Sequence, residues 1–190
     1  MKMVELRRHT ASDGDHLTAE GIRAAVEIGG LLADQYDLLI SSGAQRATQT
    51  LACFLAGSGH RFPAGVIVDE AFRSAVEDRW FAVAKQSGGG GLENFLATDK
   101  ALVSEEAERF AAAVRRVFDA LPDGGRALIV GHSPMHEVAV YGVTGTIVSP
   151  ISKGAGVLLV QDEGEVRVVA GPAIALDASV PSGAASPKRN

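Results

Sequence analysis

The sequence predicts a three-layer α/β/α sandwich around a mostly parallel central sheet. Compact apolar runs of strand length recur at 3–6, 38–40, 66–68 and 127–130. Segments with helical apolar spacing lie between them, and turn-forming breaks such as Asp123-Gly124-Gly125 separate helix from strand. Strands that alternate with helices in this way pair in parallel, with helices on the faces of the sheet.

The run 3–6 ends at Arg7-Arg8-His9 and reads as the first strand. Thr18 is placed to cap a helix whose inward stripe is Ile22, Ala25, Val26, Gly29 and Leu32. Leu38-Leu39-Ile40 is a buried strand, and 45–56 a second helix with Ala47, Leu51, Phe54 and Leu55 inward. A third strand follows at 66–68. From 72 to 102 no clear period holds, and Gly88 to Gly91 interrupt the chain. This segment is expected to leave the core, with 84–102 as a candidate lid. Ser104 is expected to cap a strong helix, with glutamates in its first turn and a stripe of Ala107, Phe110, Val114, Val117, Phe118 and Leu121. The run 127–130 is the fourth strand, and Pro134 opens a short helix. Residues 157–160 and 166–169 form a hairpin around Glu163-Gly164. The segment 171–190, rich in Ala, Ser, Pro and Gly, reads as a loose tail, which leaves one domain over 1–170.

The 190 residues are 46% hydrophobic and 22% charged, enough apolar matter for one buried core and too much for a disordered chain. Aromatics are only 5%, so the core rests on Ala, Val, Leu and Ile. A net charge of -5 gives no general attraction to nucleic acid or to an anionic membrane, and neither is expected as a partner. An anionic substrate must then be held by a few local arginines. Cys53, the one cysteine, sits in an apolar helical run as a small apolar residue and can form no internal disulfide. No run approaches the roughly 18 apolar residues of a membrane span, and the first eight residues carry no targeting signal. A cytoplasmic location is expected.

Ligands of such sheets bind beyond the carboxyl ends of the strands. Three chemistry-bearing segments fall there: Arg8-His9 after the first strand, Ser41 to Arg46 after the second, and Gly131-His132 after the fourth. Each alone is commonplace, a solvated strand end or a structural turn. Together they bring two arginines and two histidines to one edge. Guanidinium forks match phosphate oxygens. One histidine with an unprotonated ring nitrogen can attack phosphorus, and a second can stabilise the charge on the equatorial oxygens. A phosphohistidine mechanism needs nothing more, so no metal and no cofactor are expected.

Four segments carry a resemblance. Leu6-Arg7-Arg8-His9-Thr10 resembles the Arg-His-Gly signature of the histidine phosphatase superfamily, also called phosphoglycerate mutase-like. Leu17-Thr18-Ala19-Glu20-Gly21 is similar to its Leu-Thr-x-x-Gly segment. The stretch from Ser41 to Thr50 is similar to its Ser-Ser-Pro-x-x-Arg-Ala-x-Gln-Thr segment, and Val130-Gly131-His132-Ser133 to its second-histidine motif. They stand in the family's order and span residue 3 to about residue 160. The resemblance implies the phosphoglycerate mutase-like fold, with His9 as nucleophile and Arg8, Arg46 and His132 in the phosphate pocket.

Departures stand beside it. Thr10 replaces the usual Gly and restricts the backbone next to His9; Gly43 replaces Pro, with little expected consequence. In many members a glutamate past the third strand protonates the leaving group, and here Ser74 falls in its place. Glu77 is the first candidate to substitute, with Asp78 and Glu70 as others. The short loop after His9 also lacks the Asn usual in the mutases. The last two features resemble the small phosphohistidine phosphatases, which the chain matches in size. His132 and His136 are four apart, a spacing that can bind metal, but His132 precedes Pro134 and the start of the helix, so the two need not share a face, and His136 is expected near the pocket rim. His16 reads as a solvated loop residue, Arg115-Arg116 as a solvated helix face, and Gly88 to Gly91 as a linker rather than a phosphate loop. The expected function is hydrolysis of a phosphomonoester or a phosphohistidine through a phosphohistidine intermediate on His9. Its partner would be a phosphorylated small molecule or a phosphohistidine protein. The alternative is a catalytically silent phosphate- or phosphoprotein-binding module of the same fold.

Overall fold

A computed structural model describes residues 1–32, 35–59, 62 and 64–169. The tail expected over 171–190 lies outside them. The first strand, β1 (Lys2–Arg8), is followed by a small hairpin of β2 (Ser12–Asp13) and β3 (His16–Leu17). Helix α1 (Ala19–Gly29), strand β4 (Leu38–Ser41), helix α2 (Gln45–Ser58) and strand β5 (Val66–Val68) come next. After a 3-10 turn at Glu70–Phe72 come α3 (Glu77–Gln86), α4 (Leu92–Thr98) and α5 (Lys100–Ala120). Strand β6 (Arg126–Gly131), helix α6 (Met135–Thr144) and strands β7 (Gly156–Asp162) and β8 (Glu165–Val169) complete the described chain. The central sheet runs β5-β4-β6-β1-β7-β8. β5, β4, β6 and β1 are mutually parallel, while β7 and β8 are antiparallel additions at one edge.

Each face of the sheet carries its own core. Val4, Leu6, Ala127 and Ile129 pack with α3 to α6, while Leu39, Leu128 and Val130 pack with α1 and α2. Strand alternation produces this split, since successive side chains point to opposite faces. Helices α1 and α2 approach closely because glycines stand at their crossing. A Cβ on Gly29 would lie 2.3 Å from the Phe54 carbonyl oxygen, and one on Gly57 2.0 Å from that of Val26. β1 also buries charge. Arg7 is ion-paired to Glu5, donates to the Gly154 carbonyl at 2.9 Å, and Glu5 accepts from the Tyr36 hydroxyl at 2.7 Å. A buried pair persists only with such further partners.

Three sequence expectations are corrected. Helix α1 ends at Gly29 and turns Gly21, Ala25, Ile28 and Gly29 inward. Ile22 and Val26 are exposed at 46% and 40%, while Gly29 occupies the close crossing with α2. Helix α5 begins at Lys100, not at Ser104: the Asp99 carboxylate accepts the Leu102 N–H at 3.0 Å, and buried Leu102 and Val103 extend the apolar stripe upstream. The segment 72–102 does not leave the core. Phe72, Trp80, Val83, Leu92 and Phe95 join the cluster around α5. Helices of ten and seven residues are too short to display their period in sequence. The cap at Thr18, the strands and the final hairpin stand where the sequence places them. Among the described residues, no helix is long and apolar enough to cross a membrane.

Candidate active site

The ends of three adjacent strands are laced together. The His9 N–H donates to the Gly131 carbonyl at 3.0 Å, and the Ser42 N–H to that of Val130 at 3.0 Å. Since β6 lies between β1 and β4, this sets Arg8-His9, Gly131-His132 and the start of α2 side by side. Arg8, His9, Arg46 and His132, the four residues singled out by the sequence, line one cavity of about 290 Å³.

His9 is held by its own neighbour. Its Nδ1 lies 2.7 Å from the Thr10 carbonyl oxygen, an acceptor only, so Nδ1 carries the proton and Nε2 is bare. Thr10 does this without strain, because Glu163 is the sole non-glycine with positive φ among the described residues. The Thr10 side chain turns to Thr50, 3.3 Å away between hydroxyls. Burial pushes the His9 imidazole down to about 4, outweighing the Thr10 hydrogen bond, and nearby Arg46, Arg8 and Lys153 push the same way. The ring is therefore neutral at pH 7.

Arg46 sits at the centre. Its Nε–H donates to His9 Nε2 at 3.3 Å, and Nη2 to His132 Nδ1 at 3.2 Å. Nη1 meets the Asp15 carboxylate at 3.0 Å. Because Nδ1 of His132 accepts, its Nε2–H donates to Ser42 Oγ at 2.9 Å. Burial and the Arg46 charge keep His132 neutral here, far below the usual histidine range. The two rings stand 5.3 Å apart. Arg8 donates to the Ile151 carbonyl at 2.9 Å, and its buried Nε has no partner among the described residues. Two cations and two neutral imidazoles facing one cavity can bind a phosphate dianion and present a nitrogen nucleophile to it.

Other candidates fall differently. Glu77, at the start of α3, lines the cavity with its carboxylate 2.7 Å from Arg73 Nε. Ser74 does not: it is buried, accepts the Val76 N–H at 3.1 Å and hydrogen-bonds Glu106. Asp78 and Glu70 are not among the cavity-lining residues. His136 is not at the rim. It is 1% exposed and donates from Nε2 to the Arg7 carbonyl at 2.9 Å, in space left free by the missing side chain of Gly131. Gly43 has φ +87°, a conformation closed to proline, so the turn into α2 differs in kind from one built on Pro. No three His, Cys, Asp or Glu side chains among the described residues gather as a metal-binding group.

Sequence reading missed Asp15 and Lys153, as well as Trp80 and Phe81 of α3, which line the cavity. Asp15 accepts the backbone N–H groups of Gln45 and Arg46 at 3.1 and 3.3 Å, so it caps α2 while holding the Arg46 guanidinium. Its position in the hairpin after His9 was the available signal.

An open α/β sheet with paired histidines and arginines at the carboxyl ends of three neighbouring strands defines a phosphoryl-handling class of site. The chain belongs to the histidine phosphatase superfamily (branch 1), whose family model matches residues 4–153. No curated protein matches it in sequence. Solved structures share the fold at low identity. A phosphoglycerate mutase from Bacillus anthracis is 18% identical with a TM-score of 0.67, covering 89% of this chain and 92% of its own. A mycobacterial glucosyl-3-phosphoglycerate phosphatase, solved with inorganic phosphate, is 16% identical with a TM-score of 0.67, covering 90% and 96%. A phosphoserine phosphatase from Entamoeba histolytica, in complex with 3-phosphoglyceric acid, is 16% identical with a TM-score of 0.66, covering 90% and 96%.

Proposed function

We propose that the protein is a metal-independent phosphomonoesterase that works through a phosphohistidine on His9. The observation that carries this reading is the bare Nε2 of His9, fixed by the Thr10 carbonyl and set beside Arg46, Arg8 and His132 in one cavity.

The phosphate dianion takes the Arg46 N–H groups that now reach the two histidines, which frees the Nε2 lone pair. It also favours the charged form of His132, whose Nδ1–H then donates to an equatorial oxygen. His9 Nε2 attacks phosphorus as the bond to the leaving oxygen breaks. Glu77, on the cavity wall, first takes up a proton from water, leaving its ion pair with Arg73, and then supplies it to the departing alkoxide. A water molecule, losing its proton to the same carboxylate, then cleaves the P–N bond, releasing orthophosphate and restoring His9. Arg8 and Arg46 hold the spread negative charge throughout. The small volume of the cavity, about 290 Å³, supports a phosphorylated small molecule over a phosphohistidine protein as substrate. The neighbouring phosphatases of glucosyl-3-phosphoglycerate and phosphoserine also act on small phosphates.

The test is turnover of p-nitrophenyl phosphate by purified protein, with and without exhaustive chelation. Hydrolysis is expected in both conditions. Binding of phosphate without turnover contradicts the reading, and a strict requirement for added magnesium or zinc contradicts its metal independence.

A further inference from the structure

The arginines and histidines are only part of the cavity lining. Beside them and Ser133, the same cavity is lined by Trp80, Phe81, Ala84, Phe95, Pro134 and Met135. Glu77, also in the lining, is paired with Arg73 at 2.7 Å. Trp80 directs its indole N–H away, to the Glu106 carboxylate at 3.3 Å, and so offers ring surface to the cavity. Glu106 also accepts from Arg109 at 2.8 Å and is bonded to Ser74, which anchors Trp80 from below. Phe95 meets Trp80 edge-on, with centroids 5.8 Å apart at 70°. Phe81, the next residue on α3, is 71% exposed. A large aromatic left in water beside a cavity loses that exposure when an apolar ligand covers it. The volume of about 290 Å³ lies at the low end for small-molecule sites, so the ligand is one or two rings rather than a chain or a protein loop.

We propose that this wall selects the leaving group and that the substrates are aromatic phosphate monoesters. This rests on the phosphomonoesterase reading above. In the step it describes, the P–O(aryl) bond breaks as the P–N bond to His9 forms, and the aryl oxygen leaves with the electron pair. A phenolate, whose conjugate acid has a pKa of about 10, departs with little help from an acid. A polyol or sugar leaving group would instead set hydroxyls beside the rings of Trp80 and Phe95, and the Trp80 N–H is already taken by Glu106.

The experiment compares 2-naphthyl phosphate, phenyl phosphate and glycerol phosphate in the wild type and in Phe81→Ser. The two aryl leaving groups have similar acidity, so their ratio reports the wall and not the chemistry. We expect kcat/KM for the naphthyl ester to exceed that for the phenyl ester roughly tenfold, the scale of burying a second ring. Phe81 is exposed, so its replacement leaves the core intact, and the naphthyl-to-phenyl ratio should fall toward one. Ala84→Asp, which places a charge on the same wall, should lower the ratio as well. A ratio near one in the wild type, or faster turnover of glycerol phosphate or a phosphohistidine protein, overturns the proposal while the phosphatase reading stands. No hydrolysis of any ester, p-nitrophenyl phosphate included, overturns both.

Discussion

Asp15 holds Arg46 at two points: its Oδ1 lies 3.0 Å from the guanidinium Nη1 and accepts the Arg46 backbone N–H at 3.3 Å. The hairpin after β1 thereby orients the central cation of the site and caps the helix that carries it. Asp15→Asn keeps the shape and loses the charge. It should lower kcat/KM about tenfold, the scale of a slight misplacement of a positioned group. Arg46→Lys keeps the charge and loses the fork that spans His9, His132 and Asp15, and should cost about 10²-fold or more. Steady-state kinetics on both variants check this; wild-type rates in Arg46→Lys would place Arg46 outside the chemistry.

Glu77 lines the cavity and Ser74 turns to Glu106, so the proposed mechanism assigns proton donation to a poor leaving group to Glu77. Glu77→Gln should slow alkyl phosphates about 10²-fold and aryl phosphates much less, which steepens the dependence on leaving-group pKa. Rates for a graded ester series in both proteins decide it. Equal slopes would remove Glu77 from the mechanism.

The site also sets how stability depends on pH. Burial lowers His9 and His136 from about 6.5 to about 4, and His132 further still. Between those values the unfolded chain binds protons that the folded protein refuses, so stability falls as pH drops from about 6.5 toward 4. Calorimetry should show Tm declining over that window, with a shallower decline in His9→Gln. A Tm that stays level from pH 6.5 to 4 contradicts neutral, buried histidines.

The sequence made Arg8-His9 and Gly131-His132 legible because each directly follows an apolar run, and strand ends are encoded locally. Arg46 was legible for the same reason, at the start of a helix with a regular stripe. Asp15 was not, since its bond to Arg46 joins a hairpin to a helix 31 positions away. The α3–α4 wall was hidden by the shortness of both helices, and by Trp80 depending on Glu106, 26 positions on. His136 was misplaced because its burial depends on the absent side chain of Gly131, a packing relation that no local pattern carries. The misread cap of α5 is of another kind: Asp99 and Ser104 are both competent N-caps, and the buried Leu102 and Val103 decide between them.

The central claim, that His9 Nε2 becomes phosphorylated, is tested most directly by trapping the intermediate. Rapid quenching with p-nitrophenyl phosphate labelled at phosphorus should yield a phosphoenzyme that is labile in acid and stable in base. Peptide mapping should place the label on His9, and His9→Ala should lose both label and turnover. Substantial turnover by His9→Ala, or label on any other residue, would contradict the account.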